Sequence, residues 1–163
     1  MFKVGILTIS DKASKNERVD ESGEVIKEIV KDVGSDVNYY NIIPDEIEDI
    51  KAELIKCSDE LKCDLLLTTG GTGFSKRDVT PEATLQVMTR NAFGISEAIR
   101  AYSMTITRRA MLSRAVSVIR DDALIINLPG SPKAVKESLE YIINELDHGL
   151  KILKGLDSEC ARK

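Results

Sequence analysis

Short, continuous runs of apolar residues alternate along the chain with segments in which apolar positions recur every three to four residues. This alternation predicts strands and helices in turn. Residues 3–9, rich in Val, Ile and Leu, form a first strand, and residues 10–21 a polar loop. Val25, Ile26, Ile29, Val30 and Val33 then share one helical stripe, with Gly34 as the stop. Residues 36–43 read as a second strand, more mixed, ended by Pro44-Asp45. Ile47, Ile50, Leu54 and Leu61 give the next helix its buried face, and residues 64–69 are a third, almost wholly apolar strand. Beyond a glycine-rich loop, Pro81 opens a helix running to about Met88, and residues 94–112 form an irregular helix. Residues 114–119 and 123–128 are two strands that Asp121-Asp122 could join as a hairpin. Ser131 as N-cap and Pro132 behind it start a last long helix, with Val135, Leu139, Ile142, Ile143, Leu146, Leu150 and Leu153 along one face.

A strand apolar on both faces belongs in a parallel sheet covered by helices. The order predicts an α/β fold, a three-layer domain with a mainly parallel central sheet. Such sheets bind ligands at the carboxyl ends of their strands. Four loops leave there: 10–21, 44–46, 69–80 and 129–133. The chain's 163 residues are expected to form a single domain, with the tail from Asp157 frayed.

Composition narrows the picture. No apolar run approaches the ~20 residues needed to span a membrane, and the N-terminus reads as a strand, not a signal peptide. Three cysteines (Cys57, Cys63, Cys160) without a CxxC spacing, and a single histidine, His148, argue against zinc and for reduced thiols in the cytoplasm. Cys57, Cys63 and His148 read as structural. A net charge of −4 with the signs interleaved argues against nucleic acid as a partner. Any anion must be gripped locally.

The strongest candidate for that grip is the third loop. The strand ends in Gly70, Gly71, Thr72 and Gly73, followed by Lys76, Arg77, Asp78 and the helix start at Thr80, Pro81 and Glu82. Backbone amides of a glycine turn leading into a helix can cradle phosphate, and an adjacent carboxylate can hold Mg²⁺. The spacing matches neither a P-loop nor a dinucleotide fingerprint. The alternative is a tight turn whose glycines only supply positive φ. Asp45 has a competing role as a helix cap, in capping-box spacing with Glu48. Asp78 has none, since Thr80 is the better cap. Asp11 and Asp20 are possible metal ligands or merely solvated, and Ser22-Gly23 could be a small anion-binding helix start. Arg108, Arg109 and Arg114, near Ser113, form either a solvated face or a phosphate contact. Pro129, Gly130, Ser131 and Lys133 form a helix start suited to an anion.

These motifs resemble the molybdopterin adenylyltransferases, the MogA/MoaB-type proteins related to the gephyrin G domain. The stretch from Thr68 to Gly73 and that from Arg77 to Thr84 carry the resemblance. It extends through Ser10-Asp11, Asp20 to Gly23, Ile43 to Glu46, Leu112 to Ala115 and Asn127 to Lys133, about residues 3–154 in all. It implies a molybdopterin-binding fold, usually trimeric. It also implies transfer of AMP from Mg-ATP to the terminal phosphate of molybdopterin, with release of pyrophosphate. The product would pass to a molybdate-inserting partner protein. The family's two key aspartates match Asp45 and Asp78, which would hold Mg²⁺, with Ser10, Asp11 and the loop residues named above around the phosphates. Some relatives bind the pterin with no established catalytic role, so a non-catalytic carrier or scaffold is the second reading. A Rossmann-type dehydrogenase is disfavoured by the glycine spacing.

Overall fold

A computed structural model describes residues 2–157; Cys160 and the expected frayed tail from 158 onward lie outside them. Among the described residues, six strands form one sheet: β1 (Lys3–Ile9), β2 (Asp36–Ile43), β3 (Leu65–Thr69), β4 (Arg90–Asn91), β5 (Ser117–Arg120) and β6 (Ala123–Leu128). Their order is β2-β1-β3-β6-β5-β4. β2, β1, β3 and β6 are parallel; β5 runs antiparallel to both β6 and β4. Six α-helices accompany them: α1 (Asp11–Ser14), α2 (Glu21–Asp32), α3 (Ile47–Ile55), α4 (Thr80–Val87), α5 (Phe93–Ile106) and α6 (Pro132–Leu153).

Alternate side chains of the parallel strands feed two separate cores. Ile6, Leu65, Leu67 and Ile126 pack with α2 and α6, through Ile26, Val30, Leu139 and Ile142. Leu7, Leu66 and Ile125 face the other way, onto Ile50 and Leu54 of α3 and Ala83 and Val87 of α4. The three layers are as expected, and a core on each face explains why β3 is buried throughout, its threonines Thr68 and Thr69 included. β1 is followed by α2 on one face and β3 by α4 on the other. At the carboxyl ends of these two adjacent strands the chain therefore departs to opposite sides, which opens a crevice.

The irregular helix expected over 94–112 is α5 followed by a 3₁₀ turn, Arg108–Leu112. The break falls where β-branched Ile106 and Thr107 end the helix, Thr107 being extended and accepting from the Arg109 amide. The strand expected over 114–119 begins later, at Ser117, because Arg114 is drawn toward the glycine loop. The helix after Pro44 gives way to a π-helical turn, Lys56–Glu60. Loop 10–21 contains α1, capped by Ser10, whose hydroxyl accepts from the Ala13 amide at 3.2 Å. β4, Arg90–Asn91, has no apolar signature in the sequence.

Candidate active site

The four loops do converge. A cavity of about 230 Å³ lies over the ends of β1 and β3. Ser10, Asp45, Gly70, Gly71, Asp78 and Gly130 are the predicted residues on its wall. Thr8, Arg18, Asp20, Ser22 and Thr69 line it as well.

The glycine loop is shaped by close approach. Gly70 has φ +94°, and a Cβ there would collide with the Ile9 carbonyl oxygen. Gly71 has φ +64°; a Cβ would meet the Thr80 hydroxyl and lie 3.0 Å from Asp45 Oδ1. Both positions exclude any other residue, by conformation and by space. Thr80 does not cap α4: Val79 is the N-cap and makes no side-chain cap bond. The Thr80 hydroxyl instead donates to the Gly70 carbonyl at 2.9 Å, and its amide to the Gly71 carbonyl at 3.1 Å. It is fully buried beneath the loop.

Asp45 is not a cap either. α3 begins behind Glu46, with no side-chain cap bond. Asp45 Oδ2 accepts the Asp11 amide at 2.8 Å, and the Asp45 amide donates to Asp11 Oδ1 at 3.1 Å. This reciprocal pair turns Asp45 from the helix toward the cleft. Burial pushes the Asp45 carboxyl above its ordinary pKa; the Asp11 amide pulls it back, and the charges of Asp11 and Asp78 push it up further. Asp78 Oδ2 accepts the Ser75 amide at 2.9 Å. No donor among the described residues reaches Oδ1 of either aspartate.

Arg114, predicted at the phosphates, is a clasp instead. Its Nε donates to the Gly73 carbonyl at 2.7 Å, one terminal nitrogen to the Asp78 carbonyl at 2.5 Å, and the other to Glu82. Its amide donates to the Thr72 carbonyl at 2.9 Å. Thus Arg114, Glu82, Thr72 and Gly73 fix the segment that carries Asp78 rather than lining the cavity. Arg77 pairs with Asp11 and Glu46 and stands off the wall. Ser113 Oγ accepts the Ala115 amide. Ser131 does cap α6, accepting from the Ala134 amide at 3.3 Å. Lys133 is exposed and 3.9 Å from Glu137, off the cavity wall. The Pro129 carbonyl accepts from Thr69 Oγ1 at 2.6 Å, and the Gly130 carbonyl from Ser22 Oγ at 2.9 Å. Arg108 and Arg109 are exposed on the 3₁₀ turn.

Asp20 is more than a solvated loop acid. Its carboxylate accepts from the Thr8 hydroxyl at 2.5 Å, the Tyr40 hydroxyl at 2.6 Å and the Gly23 amide at 2.9 Å. Its signal in the sequence was the N-cap spacing Asp20-x-x-Gly23; the partners on β1 and β2 gave none. Asn127, at the end of β6, is fully buried and donates to the hydroxyls of Thr68 and Thr84, both at 3.0 Å.

Among the described residues, no group of three or more His, Cys, Asp or Glu side chains is arranged to hold a metal. Two carboxylates with one outward oxygen each fit a hard cation that keeps water and takes its remaining ligands from substrate phosphate, as Mg²⁺ does.

A family model described as a probable molybdopterin binding domain matches residues 5–148. A molybdopterin adenylyltransferase of Helicobacter pylori is 41% identical over 154 residues, 93% of this chain and 88% of that one. Gephyrin of Dictyostelium discoideum is 42% identical over 160 residues, 92% of this chain; the chain spans only 22% of gephyrin's length. The crystal structure of the molybdopterin biosynthesis enzyme MoaB from Thermus thermophilus superposes with a TM-score of 0.89 at 43% identity, covering 95% of this chain and 98% of that one. A match across nearly the whole sheet, at this identity and with the strand-end loops included, means that the chain belongs to the molybdopterin-binding domain family.

Proposed function

We propose that the protein is a molybdopterin adenylyltransferase of molybdenum cofactor biosynthesis, with ATP and molybdopterin as substrates and Mg²⁺ held by Asp45 and Asp78. The observation that carries this reading is that both aspartates enter one cavity beside the glycine turn, each with one oxygen that no described protein donor reaches. A carrier that only holds the pterin has no use for that pair.

In the reaction, a terminal phosphate oxygen of molybdopterin forms a bond to the α-phosphorus of ATP. The bond from that phosphorus to the bridging oxygen breaks, and pyrophosphate leaves. The nucleophile is already anionic, so no strong base is required, and the barrier is one of charge repulsion and positioning. Mg²⁺, when bound, neutralises phosphate charge. Asp45 and Asp78 would hold it, and the Gly70–Gly71 turn sets the wall against which the phosphates lie. Arg114 keeps Asp78 in place through its carbonyl.

The test is incubation with molybdopterin, ATP and Mg²⁺, following AMP on the pterin. Tight pterin binding without transfer would defeat the enzyme reading and leave the carrier. We further propose a trimer acting in the cytoplasm and passing its product to a molybdate-inserting protein. The exposed apolar residues Met104, Ile106, Met111 and Leu112 support self-association, which sedimentation would measure. The free, buried Cys57 and Cys63 support a reducing compartment. No helix among the described residues is long and apolar enough to cross a membrane.

A further inference from the structure

Arg77 stands next to Asp78 in the chain, yet its guanidinium is spent on the carboxylates of two other loops. Nε donates to Asp11 Oδ2 at 2.9 Å; NH2 donates to Asp11 Oδ1 at 2.9 Å and to Glu46 Oε1 at 2.7 Å. Asp11 is therefore gripped from two sides, by the planar fork of Arg77 and by the reciprocal amide bonds with Asp45. Because the Asp11 amide occupies Asp45 Oδ2, the other oxygen, Oδ1, is the one set against Gly71. One continuous chain of bonds thus runs from the segment carrying Asp78 through Arg77 and Asp11 to Asp45.

We propose that Arg77 is a positioning residue: acting through Asp11, it holds the Asp45 carboxylate and the Asp78 segment in one register for the divalent cation, and does not itself contact substrate phosphate. This rests on the adenylyltransferase reading above. Two features support positioning. The Arg77 side chain is 51% exposed, and an ion pair that open adds little to the fold. The fork is bidentate on Asp11, a geometry that an ammonium cannot reproduce. A carboxylate pair that must meet one cation is sensitive to such a support, and loss of the outer partners of a metal ligand typically weakens metal affinity about 10–100-fold.

The experiment compares Arg77→Gln, Arg77→Lys, Asp11→Asn and the Arg77→Gln/Asp11→Asn double variant. Mn²⁺ binding is read by paramagnetic resonance in the presence of the α,β-methylene analogue of ATP, alongside kcat, KM for both substrates and Tm. We expect each glutamine or asparagine variant to lose Mn²⁺ affinity about tenfold, with a matching fall in kcat and unchanged KM for molybdopterin. The double variant should be no worse than the worse single one, Arg77→Lys should retain only part of the affinity, and Tm should stay near the parent value. The proposal is overturned if Asp11→Asn behaves as wild type while Arg77→Gln raises KM for ATP, because Arg77 would then touch phosphate. It is also overturned if the variants lower Tm and leave Mn²⁺ affinity unchanged. Absence of AMP transfer by the wild type would defeat the proposed reaction, while the Mn²⁺ series would still decide the role of Arg77.

Discussion

The two ends of the sheet each carry a buried aspartate, and the two are bonded in opposite ways. At the amino end, Asp64 is 8% exposed; at the carboxyl end, Asp45 is 9% exposed. Both Asp64 oxygens are taken, Oδ2 by the Lys3 amide at 2.8 Å and Oδ1 by Lys154 at 2.6 Å. Nearby Asp59 is likewise filled by Nε and one terminal nitrogen of Arg120, at 2.9 and 2.6 Å. Among the described residues, Asp45 and Asp78 each have only one oxygen bonded, and only by a backbone amide. Burial alone therefore does not separate a fully bonded acid from one with an oxygen left over. Nor does an adjoining hollow, since a cavity of about 270 Å³ lies over Asp59 and Asp64. The distinction lies in whether the protein spends the whole carboxylate.

Exchanging the acids tests this most severely. Asp45→Asn or Asp78→Asn should lower AMP transfer by about 10³-fold or more, with circular dichroism and Tm close to the parent. Asp64→Asn should leave transfer intact and cost about 1–3 kcal/mol in urea unfolding, because Lys154 then faces an uncharged partner. If Asp64→Asn instead abolished transfer, the comparison would fail. Gly71→Ala should be next: the strained φ and the collision with Thr80 should displace Asp45, for a fall of about 10²-fold in transfer. Asn127→Ala should strip the hydroxyls of Thr68 and Thr84 of a common donor under the cleft, costing about 2–4 kcal/mol in urea.

The smallest effect concerns pH at the amino end. The Arg120 guanidinium holds Asp59 below the ordinary carboxylate range, against the opposing effect of burial. A depressed folded-state pKa contributes stability above the unfolded value, near 3.9, which is lost as pH falls through the folded value. Asp59→Asn should therefore cost under about 1 kcal/mol at pH 7, the pair being partly solvated. The difference from wild type should shrink below about pH 4. Paired urea midpoints at pH 7 and pH 3 measure it.

The fold was legible where one period dominates. The apolar stripe and Ser131 cap of α6, the buried and largely apolar β3 and the Gly34 stop, with φ +74°, all follow from local pattern. The convergence of four loops followed from the parallel order alone. What escaped depended on partners far along the chain. Arg77 meets Asp11 across 66 residues and Arg114 meets Gly73 across 41, so neither arginine's occupation could be read from its neighbours. The capping-box reading of Asp45 failed for the same reason, its carboxylate being claimed by an amide 34 residues earlier. β4, two residues long, is held by pairing to β5 without any apolar pattern.

The bonds that close the cleft also set a schedule for its birth on the ribosome. Ser22 is fastened to a carbonyl made 108 residues later, and Thr69 to one made 60 residues later. Both aspartates, the glycine turn and the α2 start are synthesised well before the strand that braces them. A nascent chain that has not yet released β6 thus carries the two aspartates and the glycine turn of the proposed site without the strand that braces them. Contacts of such sequence separation close late and slowly, and until they do the apolar faces of β1 and β3 stay open to unwanted association.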